Sequence, residues 1–390
     1  MDTYLCAGKR TPIGAFQGSL SKLSATKLGS IVIKDIIKSS NINPIDIDEV
    51  IMGNVLSANL GQAPARQACL GAGLQESIEC MTINKVCGSG LKAVMLADQA
   101  IKNRDADIII AGGMESMSNA PHYIENSRNG MMFGHNKLID SILKDGLWDP
   151  YNNLAMGSCG EVLCKENKYT LEMQNQFAIG SYKKSNNAIS NGMFKDEISE
   201  VIIKNKKNEI KFDTDEEPLR FNEEKLLKLR PVFDKEGTIT AGNASSLSDG
   251  ASAIVIASDE VVENKQLKPL ARIIGHTSYA TEPLYFTKAP IYAIKKLFKK
   301  TGMNIDDIDL FEINEAFSCV TMAAVDELKI SYDKVNVNGG AVSMGHPIGA
   351  SGARILVTLM HALKARNLKY GIASLCIGGG EASAMLIEVL

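Results

Sequence analysis

The chain reads as an α/β protein of two similar halves separated by an inserted loop domain, and three observations point there. Apolar runs too continuous for a half-solvated sheet alternate with segments of helical period, as expected for strands covered by helices on both faces. A pattern near one end of the chain is echoed near the other. Between the echoes lies a region of different composition, rich in Met, Asn and Gly clusters and in charge runs.

Taken in order, the chain opens on strand-like Tyr4, Leu5, Cys6 and Ala7. Leu28, Ile31, Val32, Ile36 and Ile37 then recur at helical spacing, followed by Ile-Asp-Ile-Asp-Glu-Val-Ile-Met-Gly-Asn at residues 45–54. The second copy repeats this order. Ile291, Ile294, Leu297 and Phe298 mark its helix, and Ile-Asp-Asp-Ile-Asp-Leu-Phe-Glu-Ile-Asn follows at residues 305–314. Residues 107–113, ending in Gly112 and Gly113, parallel residues 371–379, ending in Gly378 and Gly379. The division that follows is residues 1–119 plus 249–269 for the first half, 120–248 for the loop domain with a helical segment near 171–186, and 270–390 for the second half.

Composition narrows the function. A chain of 390 residues with 45% hydrophobic and 22% charged residues buries a large interior in two or three domains and is neither disordered nor fibrous. A net charge of −3 gives no basic field for nucleic acid, and the lysine-rich stretch at residues 204–211 alternates with acids as a solvated loop face would. No membrane role is expected. The eight cysteines form no C-x-x-C pair and the five histidines no H-x-x-x-H, so no metal site is expected. Neither a secretory nor an Arg-rich presequence opens the chain, which predicts a cytoplasmic protein with reduced thiols.

Four positions carry chemistry. Cys87 stands in Asn-Lys-Val-Cys-Gly-Ser-Gly, a strand, a tight turn and then a helix with Leu91, Val94, Met95 and Ile101 on its apolar side. A sulfur at a helix N-terminus is expected to favour thiolate and to act as a nucleophile. A buried structural role is the commoner fate of an isolated cysteine, and the glycine context narrows that gap. His346 lies in a loop with Gly339, Gly340, Gly345, Gly349 and Gly352, where a proton acceptor could meet a thiol, although a lone histidine is more often structural. That loop fits neither of the phosphate-cradling glycine patterns. Cys376 ends an apolar strand before Gly378, Gly379 and Gly380, whose backbone N–H groups could hold an oxyanion. Asn314 ends the echoed strand, where its amide could orient a water.

Together these segments resemble the thiolase family along essentially the whole chain. Asn-Lys-Val-Cys-Gly-Ser-Gly is similar to its nucleophile turn, Asn-Glu-Ala-Phe at 314–317 to its water-holding segment, Gly-His-Pro-Ile-Gly-Ala-Ser-Gly at 345–352 to its histidine loop, and Cys-Ile-Gly-Gly-Gly at 376–380 to its second cysteine. Arg10-Thr11-Pro12-Ile13-Gly14 fits as well. The resemblance implies a duplicated five-layered α/β/α/β/α sandwich with a loop domain covering CoA. It also implies a ping-pong reaction in which His346 activates Cys87, Cys87 takes an acyl group and Cys376 deprotonates acetyl-CoA. His346 with a water on Asn314 would stabilise the enolate, and the N–H groups of Cys87 and Gly378 the other oxyanion.

Within the family, Lys144-Asp145-Gly146-Leu147 and Met156-Gly157-Ser158-Cys159 resemble the tetrameric acetoacetyl-CoA thiolases. That likeness implies acetyl-CoA C-acetyltransferase activity, with acetyl-CoA, acetoacetyl-CoA and CoA as partners and a homotetramer built as a dimer of dimers. It assigns Leu147, Met156, Arg220, Phe233, Ala241, Ser245, Ala316 and Phe317 to the CoA tunnel, with Arg220 near the adenine and phosphates. Glu282-Pro283-Leu284-Tyr285-Phe286 is similar to members that also accept 2-methylacetoacetyl-CoA, which adds Phe286 to the substrate set and implies a potassium ion; no other cofactor is implied. Ala155 departs from the pattern, standing where many short-chain members carry His, which puts a contact to pantetheine in doubt. The rivals are a longer-chain degradative 3-ketoacyl-CoA thiolase, a 3-ketoacyl synthase, against which the second cysteine argues, and a non-catalytic acyl-CoA carrier on the same scaffold.

Overall fold

The computed structural model of the chain describes residues 1–204 and 208–390. Its first half contributes strands β1 (Thr3–Arg10), β2 (Glu49–Gly53), β3 (Glu79–Ile83), β4 (Ile108–Ser116) and β5 (Ser248–Ser258). The second contributes β6 (Ala271–Ala280), β7 (Leu310–Ile313), β8 (Tyr370–Ile377) and β9 (Glu381–Val389). The principal helices are α1 (Ala25–Ser40), α2 (Pro64–Gly71), α3 (Ser89–Asn103), α4 (Met156–Asn167), α5 (Leu171–Ser190), α6 (Ala289–Thr301), α7 (Ser318–Leu328) and α8 (Ile348–Ala365).

The strands follow one hydrogen-bonded path, β7-β8-β9-β6-β1-β5-β4-β2-β3. At its middle, β1 and β6 meet through only two residue pairs, Tyr4 with Arg272 and Leu5 with Ala271, so the path is two half-sheets touching at one edge. Read outward from that edge, the halves have the same order. β2 pairs parallel with β4 in one and β7 parallel with β8 in the other, and a single bridge from Phe311 to Val335 stands where β3 pairs with β2.

Residue alternation along β4 shows why helices must cover both faces. Ile108 and Ile110 pack outward with Leu28, Val32 and Ile36 of α1, while Ile109 packs inward with Leu91 and Ile101 of α3 and Leu356 of α8. On the far side, Ile291, Ile294 and Leu297 of α6 and Val320 of α7 cover Phe311, Ile372 and Leu386. Five layers result, with α1 and α2 outermost on one side, α3 and α8 between the half-sheets, and α6 and α7 outermost on the other. Each fully buried Leu or Ile side chain in them contributes roughly 1.5–3 kcal/mol. Local signals agree: Ser24 caps α1 by accepting from the Lys27 amide, and Asn41 ends it in a left-handed conformation.

The middle layer positions the chemistry. α3 and α8 cross with almost no separation, because a Cβ on Gly90 would lie 2.7 Å from the Ala353 amide nitrogen and one on Gly352 would lie 2.3 Å from that of Leu91. Both helix N-termini therefore arrive together, one carrying Cys87 and the other His346. In the inserted region the lysine-rich stretch proves not to be a plain loop. Val201–Lys204 pairs antiparallel with Glu209–Phe212, and residues 205–207 lie outside the described residues.

Candidate active site

Cys87 sits on a constrained turn. Val86 holds φ = 46°, a left-handed conformation that a β-branched residue adopts only when its surroundings impose it, at about 1–3 kcal/mol. The imposing groups are adjacent: Asn84 Oδ1 accepts from the Val86 amide at 2.9 Å, and Ser89 Oγ accepts from the Lys85 amide at 2.9 Å while donating to the Val86 carbonyl at 2.6 Å. Gly88 completes the turn, since a Cβ there would lie 2.3 Å from Ile377 Cδ1, the residue after Cys376.

His346 is placed from three sides. Its amide donates to the Ser246 carbonyl, its Nδ1 lies 2.6 Å from Ser351 Oγ, and its Nε2 lies 3.5 Å from Asn314 Nδ2. Asn314 is held by its own amide on the Ser374 carbonyl at 2.9 Å and by Arg354, which also pairs with buried Glu312 at 2.9 Å. Glu115, at the end of β4, fastens the histidine loop to the first half. It accepts from the amides of Val55, Leu56 and Gly349 and from Asn54 Nδ2.

The electrostatics reverse one expectation. The helix N-terminus was expected to favour thiolate at Cys87, but burial pushes its thiol up to about 11, and the N–H groups of Gly378 and Cys87 itself offset only part of that. Cys376, with no exposed surface, is raised well above the usual thiol range by burial and then by the Cys87 charge. Burial, then the Arg354 guanidinium, brings His346 down to about 3. The resting site is therefore thiol and neutral imidazole, and the nucleophile must be formed by proton transfer at the moment of attack.

Cys87, His346 and Gly378 lie along one cavity of about 460 Å³. Leu147, Met156, Phe233, Ala241, Ser245, Phe286, Ala316 and Phe317 also line it, as does Ala155. Arg220 does not. Its half-exposed guanidinium is engaged by Glu216 at 2.5 Å on the surface of the inserted region. Asn314 and Cys376 stand behind the lining, 1% and 0% exposed. Sequence reasoning missed Met117, Leu143, Val232, Leu247 and Ile348 in the walls, and Glu115, Ser351 and Arg354 behind them. Only Ser351 and Arg354 carried a signal, lying five and eight residues beyond His346 on one helix.

Among the described residues no three His, Cys, Asp or Glu side chains converge as metal ligands. The segment Pro283–Lys288 is a short 3-10 helix whose Phe286 turns into the cavity.

The thiolase N-terminal domain model matches residues 3–260 and the thiolase C-terminal domain model residues 267–389. The chain belongs to the thiolase family. It is an acyltransferase with the thiolase fold, similar along its length to acetyl-CoA acetyltransferases. That of Yarrowia lipolytica is 52% identical over 99% of this chain and 96% of its own, and acetyl-CoA acetyltransferase 2 of Arabidopsis thaliana is 50% identical over 100% and 97%. Among solved structures, the Acat5 thiolase of Ascaris suum in complex with coenzyme A superposes with a TM-score of 0.95 at 44% identity, covering all of both chains. The Bacillus anthracis acetyl-CoA acetyltransferase gives a TM-score of 0.97 at 38% identity, covering 100% and 99%.

Proposed function

We propose that this thiolase is an acetyl-CoA C-acetyltransferase, joining two acetyl-CoA into acetoacetyl-CoA and CoA through acetyl-Cys87, and running the reverse cleavage at the same site. In the first half-reaction, Cys87 Sγ attacks the thioester carbonyl while its proton passes to His346 Nε2. The carbonyl oxygen takes the negative charge, facing the N–H groups of Cys87 and Gly378, and CoA leaves with the proton from His346. In the second, Cys376 passes its proton to His346, and the resulting thiolate takes an α-proton from a second acetyl-CoA. The new carbanion attacks acetyl-Cys87, and the released Cys87 thiolate takes back the proton held on His346.

The observation that carries this reading is that Cys87, His346 and the Gly378 backbone share one apolar cavity with buried Cys376 directly behind. Its walls suit a pantetheine arm, with Leu147, Met156, Phe233, Ala241, Ser245, Phe286, Ala316 and Phe317 as contacts. Acetyl-CoA incubated with the protein should leave an acetyl group on the Cys87 peptide in mass spectrometry. A Cys87→Ser variant that still supports wild-type thiolysis would end the reading.

A homotetramer fits an exposed apolar hairpin. The strands His122–Tyr123 and Ile139–Asp140 carry a loop in which Met132 and Phe133 are 84% and 110% exposed, an apolar tip available for contact between subunits. No helix among the described residues is long and apolar enough to cross a membrane, and a cytoplasmic site of action remains part of this proposal.

A further inference from the structure

The hydrogen bonds behind His346 run in one direction, and chemistry fixes both ends. Arg354 stands at one end, and a guanidinium only donates. It gives Nη1 to Glu312 Oε1 and Nη2 to Asn314 at 3.5 Å, so the Asn314 atom facing it is Oδ1. That turns Asn314 Nδ2 towards His346 Nε2 as a donor, which Nε2 can accept only through a lone pair.

At the other end, Ser351 Oγ lies 3.0 Å from the Pro347 carbonyl, one helical turn back, and 2.6 Å from His346 Nδ1. A hydroxyl has one proton, and a carbonyl can only accept. The serine proton therefore goes to Pro347, and Oγ accepts from Nδ1–H. Two deductions from opposite ends agree on the same ring: proton on Nδ1, lone pair on Nε2. All four side chains are at most 6% exposed, so solvent does not compete for these positions.

We propose that Ser351 and Arg354 are positioning residues for the catalytic base, holding neutral His346 in the tautomer whose Nε2 accepts the Cys87 proton. This rests on the roles given above to Cys87 and His346, and it restricts them. Neutral His346 cannot donate from Nε2, so it can assist an enolate oxygen only after taking a proton. Until then Asn314 Nδ2 is the donor on that side. The burial that keeps the imidazole neutral is consistent with this order.

The test uses the full-length protein, which has only five histidines. With histidine-selective 15N labelling at pH 7.5, the ring whose signals vanish in His346→Asn should show a protonated, pyrrole-type Nδ1 and a bare, pyridine-type Nε2. The opposite pattern overturns the proposal and does so without any Ser351 variant having to fold. In Ser351→Ala, the single-turnover acetylation of Cys87 should slow about ten- to a hundredfold, the range expected when a buried donor loses its acceptor, with KM for acetyl-CoA within about twofold. Ser351→Thr, which keeps the hydroxyl, should recover most of the rate, whereas a Ser351→Ala variant within about threefold of wild type overturns the proposal. Failure of wild-type protein to acetylate Cys87 at all would instead bring down the underlying reading, and this inference with it.

Discussion

Replacing His346 by Asn removes the base while keeping a polar side chain of similar reach, and the structure sets the size of the effect. With the Cys87 thiol raised to about 11, four pH units separate it from pH 7. At about 1.36 kcal/mol per unit, thiolate is disfavoured by roughly 5 kcal/mol and is present as about one part in 10⁴. In wild-type protein the proton passes to His346 as the sulfur–carbon bond forms, so no free thiolate has to accumulate and the two opposite charges stabilise each other. The wild-type acetylation rate should be nearly flat from pH 6 to 9, because His346, lowered to about 3, stays neutral throughout. His346→Asn has only the pre-formed thiolate. Rapid-quench mass spectrometry of the Cys87 peptide should give a rate reduced about 10³- to 10⁴-fold at pH 7, rising about tenfold per pH unit up to pH 9. A variant that stays within tenfold of wild type at pH 7, or whose slow rate ignores pH, would refute the proton-transfer argument.

Cys376→Ser should acetylate Cys87 at close to the wild-type rate yet lose condensation and thiolysis by about 10³-fold or more, measured as acetoacetyl-CoA formed or consumed. Gly157→Ala would bring a Cβ within 2.1–2.4 Å of three Phe233 ring atoms, so the ring must shift in the cavity wall. KM for acetoacetyl-CoA should rise about tenfold, while a thioester lacking the pantetheine arm is little affected. The proposed homotetramer predicts that Phe133→Asp in the exposed hairpin lowers the light-scattering mass to that of a dimer, with Cys87 acetylation retained. Acetoacetyl-CoA should be turned over well ahead of 3-ketohexadecanoyl-CoA, and the reverse order would favour the longer-chain degradative enzyme.

The duplication was legible because its signal is local. Gly53 and Ile313 end matching strands, and in each half the next residue is an Asn, Asn54 or Asn314, at the same strand end. Cys87, His346 and Cys376 were legible for a related reason: each stands among glycines, some of which close packing requires, as Gly352 against the Leu91 amide and Gly380 against the Thr281 carbonyl illustrate. What escaped was set by distant partners. Glu115 matters through the Gly349 amide, 234 residues away, and Arg354 through Asn314, 40 residues away. The sign of the Cys87 shift escaped too, because a helix terminus can be read from a turn pattern while the burial that outweighs it exists only once both half-sheets are in place.

Of the 18 residues of α8, the 15 from Ile348 to Leu363 other than His361 are buried, and the helix lies between two sheets with no side left for water. Such an element cannot swing, slide or fray to admit a substrate without dismantling the interior around it. The base at its head is thus as immobile as the core, and whatever breathing lets a bulky thioester in and out must come from the inserted segment that roofs the cavity. Heat or denaturant should accordingly abolish turnover in a single step with the collapse of the whole particle, rather than by loosening the reactive groups first.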